Sequence, residues 1–406
     1  MVVMLESIHL KNFKSFADAE VKLAPLTVLV GANGSGKSNL LDALRLVQRL
    51  ELGWTLTESL QGRREAGREV APALRGGSMG LARSANALVE LTLRWMAEPD
   101  LMTHGMGIEV RGEPVFRWER VSLEGPVLSG SSRIAVDSVP VKGLLPYDSQ
   151  PSISTDERSL TFLVPNEANQ SVYRQALLRF RELYAGPAAQ ALTLGHSLFL
   201  EVIPTRMRGY SPQQDIELGT EGENISSVLW SHCERHPDTQ QEWVDWLSEL
   251  CGPEIVGLDF SRTELGDVML VLVEKDGTRT PARSLSDGTL RFLGTLVALR
   301  TVREGSLVIL EEPETGLHPQ RIHLLVEFLE SVVCERGLQV ILTTHSPQVL
   351  QALSAESLKN TVLCARSPDQ EGTMLRRLGD LPHFEEVSQR SNIEHLFTTG
   401  WLERAL

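Results

Sequence analysis

Residues Gly31-Ala32-Asn33-Gly34-Ser35-Gly36-Lys37-Ser38 fit the pattern G-x-x-x-x-G-K-[ST] at every fixed position. An apolar run, Leu26–Val30, precedes them, and a stretch with helical spacing, Asn39–Leu50, follows. This arrangement limits the possible folds more than any other feature, because the pattern works only where a strand turns sharply into a helix. Its glycines let successive backbone N–H groups curl around an anion, and the helix N-terminus adds a favourable dipole. In such a loop Lys37 is expected to reach the β- and γ-phosphates of a nucleotide and the Ser38 hydroxyl to ligate Mg²⁺. ATP with Mg²⁺ is therefore the expected cofactor, held by Gly31 through Asn39.

A second apolar run, Leu307–Leu310, ends in Glu311-Glu312-Pro313-Glu314. A buried strand ending in carboxylates supplies the other half of a phosphoryl-transfer site. Glu311 is expected to orient the metal, through a water, and Glu312 to polarise the attacking water as general base. Taken alone, the run also fits a buried strand followed by a solvated acidic turn. Three companions favour the catalytic reading. Leu285-Ser286-Asp287-Gly288-Thr289 resembles the LSGGQ signature loop of ABC ATPases, in a variant form. Thr315–Pro319 stands where such ATPases carry the D-loop. Thr344-His345-Ser346-Pro347 follows an apolar strand where the switch histidine belongs, so His345 is expected to sense the γ-phosphate. The five segments occur along the chain in the ABC order.

The chain resembles the RecF/SMC branch of ABC ATPases and, within it, short bacterial ATPases related to the heads of OLD (overcoming-lysogenization-defect) nucleases. The resemblance rests on Leu10–Phe16 (LKNFKSF), Pro25–Leu44, Leu285–Leu293, Glu311–Pro319 and Thr343–Pro347. It covers residues 1–50 and 280–350 closely and the middle only loosely. It implies a homodimer in which two heads sandwich two ATPs. Ser286 to Gly288 of one subunit would then contact the γ-phosphate bound to Lys37 of the other. It also implies that Lys14 and Ser15 lie near the nucleotide; a plain surface turn is the alternative.

The sequence departs from that family in three ways. Glu311 stands where most relatives have Asp. Fourteen prolines lie between Ser38 and Ser286, with no sustained heptads, which excludes a long coiled-coil arm. The segment after His345, with Asp380, Glu385 and Glu386, shows no acidic metal cluster of the TOPRIM nuclease kind, so no nuclease activity is expected in this chain.

The expected fold is α/β, an ABC-type P-loop ATPase head. An N-terminal antiparallel β-subdomain would lie on a mostly parallel nucleotide-binding sheet, with an inserted α+β lid or arm. The boundaries read 1–84 for the first part of the head, 85–280 for the insertion and 281–406 for the second part. Residues 51–83, with Arg63, Arg64, Arg68 and Arg75, read as an exposed loop with a short helix. Residues 87–141 read as antiparallel strands, 142–165 as a linker, and 168–200 and 222–250 as helices. Trp243, Val244, Trp246, Leu247 and Leu250 share one helix face.

The 406 residues are 42% hydrophobic, enough for one large α/β domain with insertions or for two domains. No run is long and apolar enough to span a bilayer, and Glu6 and His9 interrupt any secretory signal. Four scattered cysteines form no CxxC pair, so a cytoplasmic location is expected. A net charge of -14 argues against indiscriminate coating of nucleic acid but leaves room for a local basic groove. Gln61–Gly77 is one candidate for such a groove, and Arg206 with Arg208 a second. His232, Cys233 and His236 look superficially like metal ligands, yet their spacing fits a helix surface better.

The expected function is an ATP-hydrolysing, ATP-gated dimeric switch in DNA repair or anti-phage defence. Possible partners are duplex DNA and a separately encoded nuclease or other effector. The alternative is a regulatory or scaffolding ATPase, gated by a protein trigger, that never touches DNA. A transporter motor fits poorly, because transport ATPases place the signature much closer to the phosphate loop.

Overall fold

The computed structural model describes residues 4–65, 68–84, 88–97, 100–124, 152–155, 159–165, 194, 197–213, 215–252, 254–366, 371–390 and 393–404. Alternating apolar residues fold the N-terminus into a hairpin, β1 (Met4–Phe13) and β2 (Phe16–Lys22). β3 (Leu26–Val30) is buried at every residue, as a strand covered on both faces must be. It leads through the phosphate loop into the helix Lys37–Glu51. A short helix, Leu56–Gln61, starts at a capping box between Thr55 and Glu58, a device worth about 1 kcal/mol.

The Arg-rich stretch differs from expectation. β4 (Arg63–Glu65) and β5 (Arg68–Ala71) pair as a small hairpin, where a loop was expected. β6 (Leu88–Ala97), β7 (Asp100–Glu109) and β8 (Val115–Glu124) follow as the expected antiparallel strands. β9 (Ser152–Thr155) and β10 (Ser159–Pro165) pair inside the stretch read as a linker. Proline and serine suggested a linker there, yet Pro165 sits at a strand end, where its missing N–H costs little. The rest of that stretch and most of the helix expected over 168–200 lie outside the described residues. The last residues of that expected helix form a strand instead, β11 (Leu198–Leu200), pinned by parallel pairing to a neighbour far along the chain.

β12 (Ser211–Pro212) precedes two helices, Ile225–Arg235 and Gln240–Cys251. Trp243, Val244, Leu247 and Leu250 are buried on one face of the second helix, as their spacing predicts, and Trp246 packs edge-on against Phe328. β13 (Ile255–Arg262), β14 (Asp267–Glu274) and β15 (Arg279–Pro281) form an antiparallel meander. The helix Asp287–Thr301 leads to β16 (Leu307–Glu311), the helix Pro319–Arg336 to β17 (Gln339–Thr344), and two short helices to β18 (Val362–Arg366) and β19 (Thr373–Arg377).

The main sheets have the orders β2-β1-β6-β7-β8-β10-β9 and β11-β16-β17-β3-β18-β19. The first is antiparallel; the second is parallel except for β19. Residues of the parallel strands alternate between two cores. Val28, Val308, Leu310, Val340 and Leu342 face the helices 225–251, 287–301 and 319–336. Leu29, Ile309 and Ile341 face the phosphate-loop helix and the antiparallel sheet. An ABC-type head results, with an antiparallel β-subdomain on a mostly parallel sheet. Residues 85–280 are woven through it: they give strands to both sheets and cover one face of the parallel sheet with helices. Among the described residues, no helix is long and apolar enough to cross a membrane.

Candidate nucleotide site

β3, β16 and β17 are adjacent and parallel, so the loops after their C-terminal ends come together. In open α/β sheets that edge is where ligands bind. The three loops carry the phosphate loop, the paired glutamates and His345.

The phosphate loop owes its course to two glycines. A Cβ at Gly31 would stand 2.1 Å from the Cys364 carbonyl oxygen on β18, so no side chain fits there. Gly36 starts the helix with φ 117°, and a Cβ there would meet Thr373 and Ser15. Ala32, Asn33 and Gly34 form the exposed crest, while Ser35 and Lys37 are buried and Ser38 and Asn39 half-buried. The Thr373 hydroxyl donates to the Ser35 carbonyl (2.7 Å), so β19 braces the loop from below. The Ser35 hydroxyl is buried without a hydrogen-bond partner among the described residues. Lys37 Nζ donates to the carbonyls of Gly31 (2.7 Å) and Ala32 (3.1 Å), spanning the concavity. Burial lowers the Lys37 pKa, while Cys364 and Glu312 pull it up. A buried ammonium and an unpartnered hydroxyl around curled N–H groups suit a phosphate chain.

Glu311 is the last residue of β16 and pairs in register with Thr343 of β17. Its carboxylate accepts from Arg75 Nη2 (3.0 Å) and lies 3.7 Å from Arg45 Nη2. Arg45 stacks its guanidinium over Phe199 and extends from the phosphate-loop helix. Ser38 and Glu311 offer hard oxygen donors on adjoining elements, the set that suits Mg²⁺.

Glu312 takes the left-handed region, φ 45°, rare outside glycine. Its N–H donates to the Thr343 carbonyl (3.1 Å) and its Oε1 lies 3.4 Å from His345 Nε2. His345 also makes a hydrogen bond with the Gly31 backbone. Burial and then the Lys37 charge lower its pKa, against Glu312. The ring lies between the glutamate and the rim of the phosphate loop. Glu314 is buried, and its Oε1 accepts from the Thr344 hydroxyl (2.5 Å), whose oxygen accepts the Ser346 N–H. The carboxyl just before the D-loop segment thus holds the histidine loop.

The signature residues lie at the N-terminus of the helix Asp287–Thr301. Ser286 caps it by accepting from the Thr289 N–H (3.1 Å), so its hydroxyl is engaged within its own loop. Ser286 and Asp287 are exposed. A Cβ on Gly288 would lie 2.4 Å from the Gly316 carbonyl, so signature and D-loop touch through backbone.

Lys14 has φ 47° and gives its ammonium to Asp42 (2.6 Å) and the Arg75 carbonyl (2.7 Å), with both charged side chains buried. Ser15 accepts from Asn39 (2.8 Å). A cleft of about 500 Å³ opens here, lined by Lys14, Ser15, Asn39, Arg75, Arg83 and Arg366.

Sequence reasoning placed Arg75 only within a basic stretch and missed its reach to Glu311. The sole local signal is its position between buried Leu74 and the turn glycines Gly76 and Gly77, both with positive φ. Arg45, Glu314 and Thr373 were also missed, because their roles depend on long-range packing. Arg206 pairs with Glu221 and Arg208 with Asp287, so the second basic spot is compensated by carboxylates. His232 packs against His236 and edge-on against Trp243, with a pKa lowered to about 4 by burial, and among the described residues no group of three or more His, Cys, Asp or Glu side chains could hold a metal.

Two family descriptions match the chain. "AAA domain, putative AbiEii toxin, Type IV TA system" matches residues 168–351, and "AAA ATPase domain" matches residues 4–53. The chromosome partition protein Smc of Methanocaldococcus jannaschii is 45% identical over 67 residues, 16% of this chain and 5% of that protein. The DNA replication and repair protein RecF of Synechococcus is 47% identical over 47 residues, 11% of this chain and 12% of that one. These alignments thus span only a small part of either relative. Among solved structures, an Smc head bound to the C-terminal winged-helix domain of ScpA aligns over 92% of this chain and 98% of its own, with a TM-score of 0.52 at 13% identity. The Pyrococcus furiosus Smc head bound to the C-terminal domain of ScpA aligns over 93% and 97%, with a TM-score of 0.51 at 11% identity. At such identities the structural likeness speaks to the fold.

Proposed function

We propose that this chain, similar to SMC and RecF proteins, is an ATPase of the ABC kind and works as an ATP-gated dimeric switch. One observation carries the reading. Lys37, Glu311, Glu312 and His345 converge on one sheet edge, while Ser286 and Asp287 of the same chain are exposed and capped locally. A second copy would bring its signature loop to the first copy's γ-phosphate.

The geometry supports the following division of labour. Lys37 and the loop N–H groups bind the phosphates. Ser38 and Glu311 would hold Mg²⁺, which supplies charge neutralisation along the triphosphate. The cleft beside Lys14 would take the nucleoside half. Glu312 would accept the proton of the attacking water, and His345 would fix the position of Glu312 relative to the γ-phosphate. Product release would then loosen the dimer.

Light scattering on Glu312→Gln with ATP tests the switch. That variant is expected to bind ATP and stay dimeric, and Ser286→Arg to bind ATP as a monomer. An ATP-dependent dimer in Ser286→Arg would reject the trans arrangement.

Duplex DNA is the proposed trigger, and a separately encoded nuclease or other effector the proposed output. The names of the Smc and RecF relatives support DNA, and so does Arg64, exposed on the β4 hairpin. The anti-phage setting and the link to OLD-type heads rest on the motif residues alone. The net charge of -14 favours a second reading, a switch gated by a protein. ATPase rates with and without linear duplex at low salt separate the two: severalfold, salt-sensitive stimulation supports DNA, and indifference supports the protein trigger.

A further inference from the structure

The signature loop carries a charge that its role makes awkward. Asp287 stands in the segment that would face a partner's triphosphate, and its side chain is 67% exposed. An acid in the first turn suits the helix dipole. Against an incoming phosphate it is repulsive, unless something cancels it.

Arg208 does so. Its Nη2 donates to Asp287 Oδ1 (2.7 Å) and to the Leu285 carbonyl (2.8 Å), clasping the loop on both sides of Ser286. The Arg208 side chain is three-quarters buried, and Nη1 is enclosed without a hydrogen-bond partner among the described residues. The two hydrogen bonds from Nη2 offset the cost of enclosing Nη1 and hold the side chain in place. The segment that carries Arg208 is fixed as well. A Cβ on Gly294 would meet Val202 at 3.0 Å and Met207 at 3.3 Å, so the signature helix packs closely on this segment and a side chain there would crowd it. Arg291 of the same helix donates to the Val202 carbonyl (2.9 Å), and Met207 is fully buried. Three contacts thus bind residues 202–208 to the helix, and the last one ends on the signature itself.

We propose that Arg208 is a positioning residue for the signature loop: it neutralises Asp287 and fixes the loop so that Ser286 and Gly288 can meet a partner's γ-phosphate. The proposal rests on the dimeric reading above. In that dimer the pair occurs at both nucleotides, so losing Arg208 exposes two uncompensated carboxylates to two triphosphates.

The test is a charge-compensation cycle in the Glu312→Gln background, with the ATP concentration for half-dimerisation read by light scattering at low and high salt. Arg208→Ala is expected to raise that concentration about tenfold at low salt and less at high salt. ATP binding to the monomer, followed with a fluorescent analogue, should be unchanged. Arg208→Ala combined with Asp287→Gly should recover most of the loss. Arg208→Gln, which keeps a donor for the Leu285 carbonyl but no charge, serves if the alanine variant does not fold, and should behave like it.

An Arg208 variant that dimerises like the parent overturns the proposal. So does a double variant as impaired as Arg208→Ala, because the role would then be structural and not electrostatic. If the Glu312→Gln parent itself does not dimerise with ATP, the dimeric reading fails first and takes the proposal with it.

Discussion

Arg75 Nη2 lies 3.0 Å from Glu311 Oε2, although 236 residues separate them along the chain. The carboxylate proposed to hold the metal is therefore already held by a guanidinium. Despite burial, which pushes the Arg75 pKa down, the Glu311 carboxylate raises it overall. The same oxygens cannot serve a cation and a guanidinium fully at once. Arg75→Ala is expected to lower the half-saturating Mg²⁺ for ATP hydrolysis about threefold, the modest effect fitting a half-exposed pair. Magnesium titration at fixed ATP measures it. A higher requirement would mean that Arg75 helps hold the loaded nucleotide.

Glu312 occupies left-handed backbone space that costs a non-glycine residue about 1 kcal/mol. Glu312→Gly is thus expected to melt slightly above wild type while hydrolysis falls about a hundredfold or more. Calorimetry and a phosphate-release assay on one preparation check both. A glycine variant that keeps its rate would remove Glu312 as the base.

His345 titrates below its ordinary value of 6.5, first because of burial and then because of Lys37. A depressed base stays neutral until the solution is more acidic than usual. The rate at saturating ATP should hold level as pH falls through about 6.5 and decline only below it. His345→Gln should be slower and lack that decline. A wild-type decline centred above 6.5 would contradict the assigned environment.

Glu314 is an acid whose pKa burial raises above the ordinary 4.5, against the Thr344 hydroxyl and the His345 N–H. The sign follows from linkage: a raised folded-state pKa stabilises the fold below the unfolded value, and that contribution is lost as pH rises through the folded value. Glu314→Gln keeps an acceptor for Thr344 and has no charge to bury. Its melting temperature should exceed wild type at about pH 8, with the gap closing towards about pH 5. A constant gap would place its origin in packing.

The sequence made the parallel core and its loops readable because both leave local traces. β3, β16 and β17 are short, largely apolar runs, and each ends in a motif whose chemistry demands that position. The face of the helix Gln240–Cys251 was readable from spacing for the same reason. Leu198–Leu200 was not. Three residues carry no period, and their strand state comes from parallel pairing with β16. β4 and β5 were obscured by arginines, which say little about backbone. The contacts that trim the site, Arg75 to Glu311 and Arg208 to Asp287, join residues with no local relation. Only the folded chain reveals them.

β3 is paired on one side with β17 and on the other with β18. The phosphate loop leaves the ribosome early, but the strands that complete its sheet and the carbonyl of Cys364 against which Gly31 rests are made long afterwards. Pairing over such separations is slow to form, since the intervening chain must first be brought together. A nascent or truncated polypeptide ending before β18 would have the loop residues without the floor that shapes them. Nucleotide capture would then wait for β18, so the order of the strands along the chain sets when the loop takes its shape.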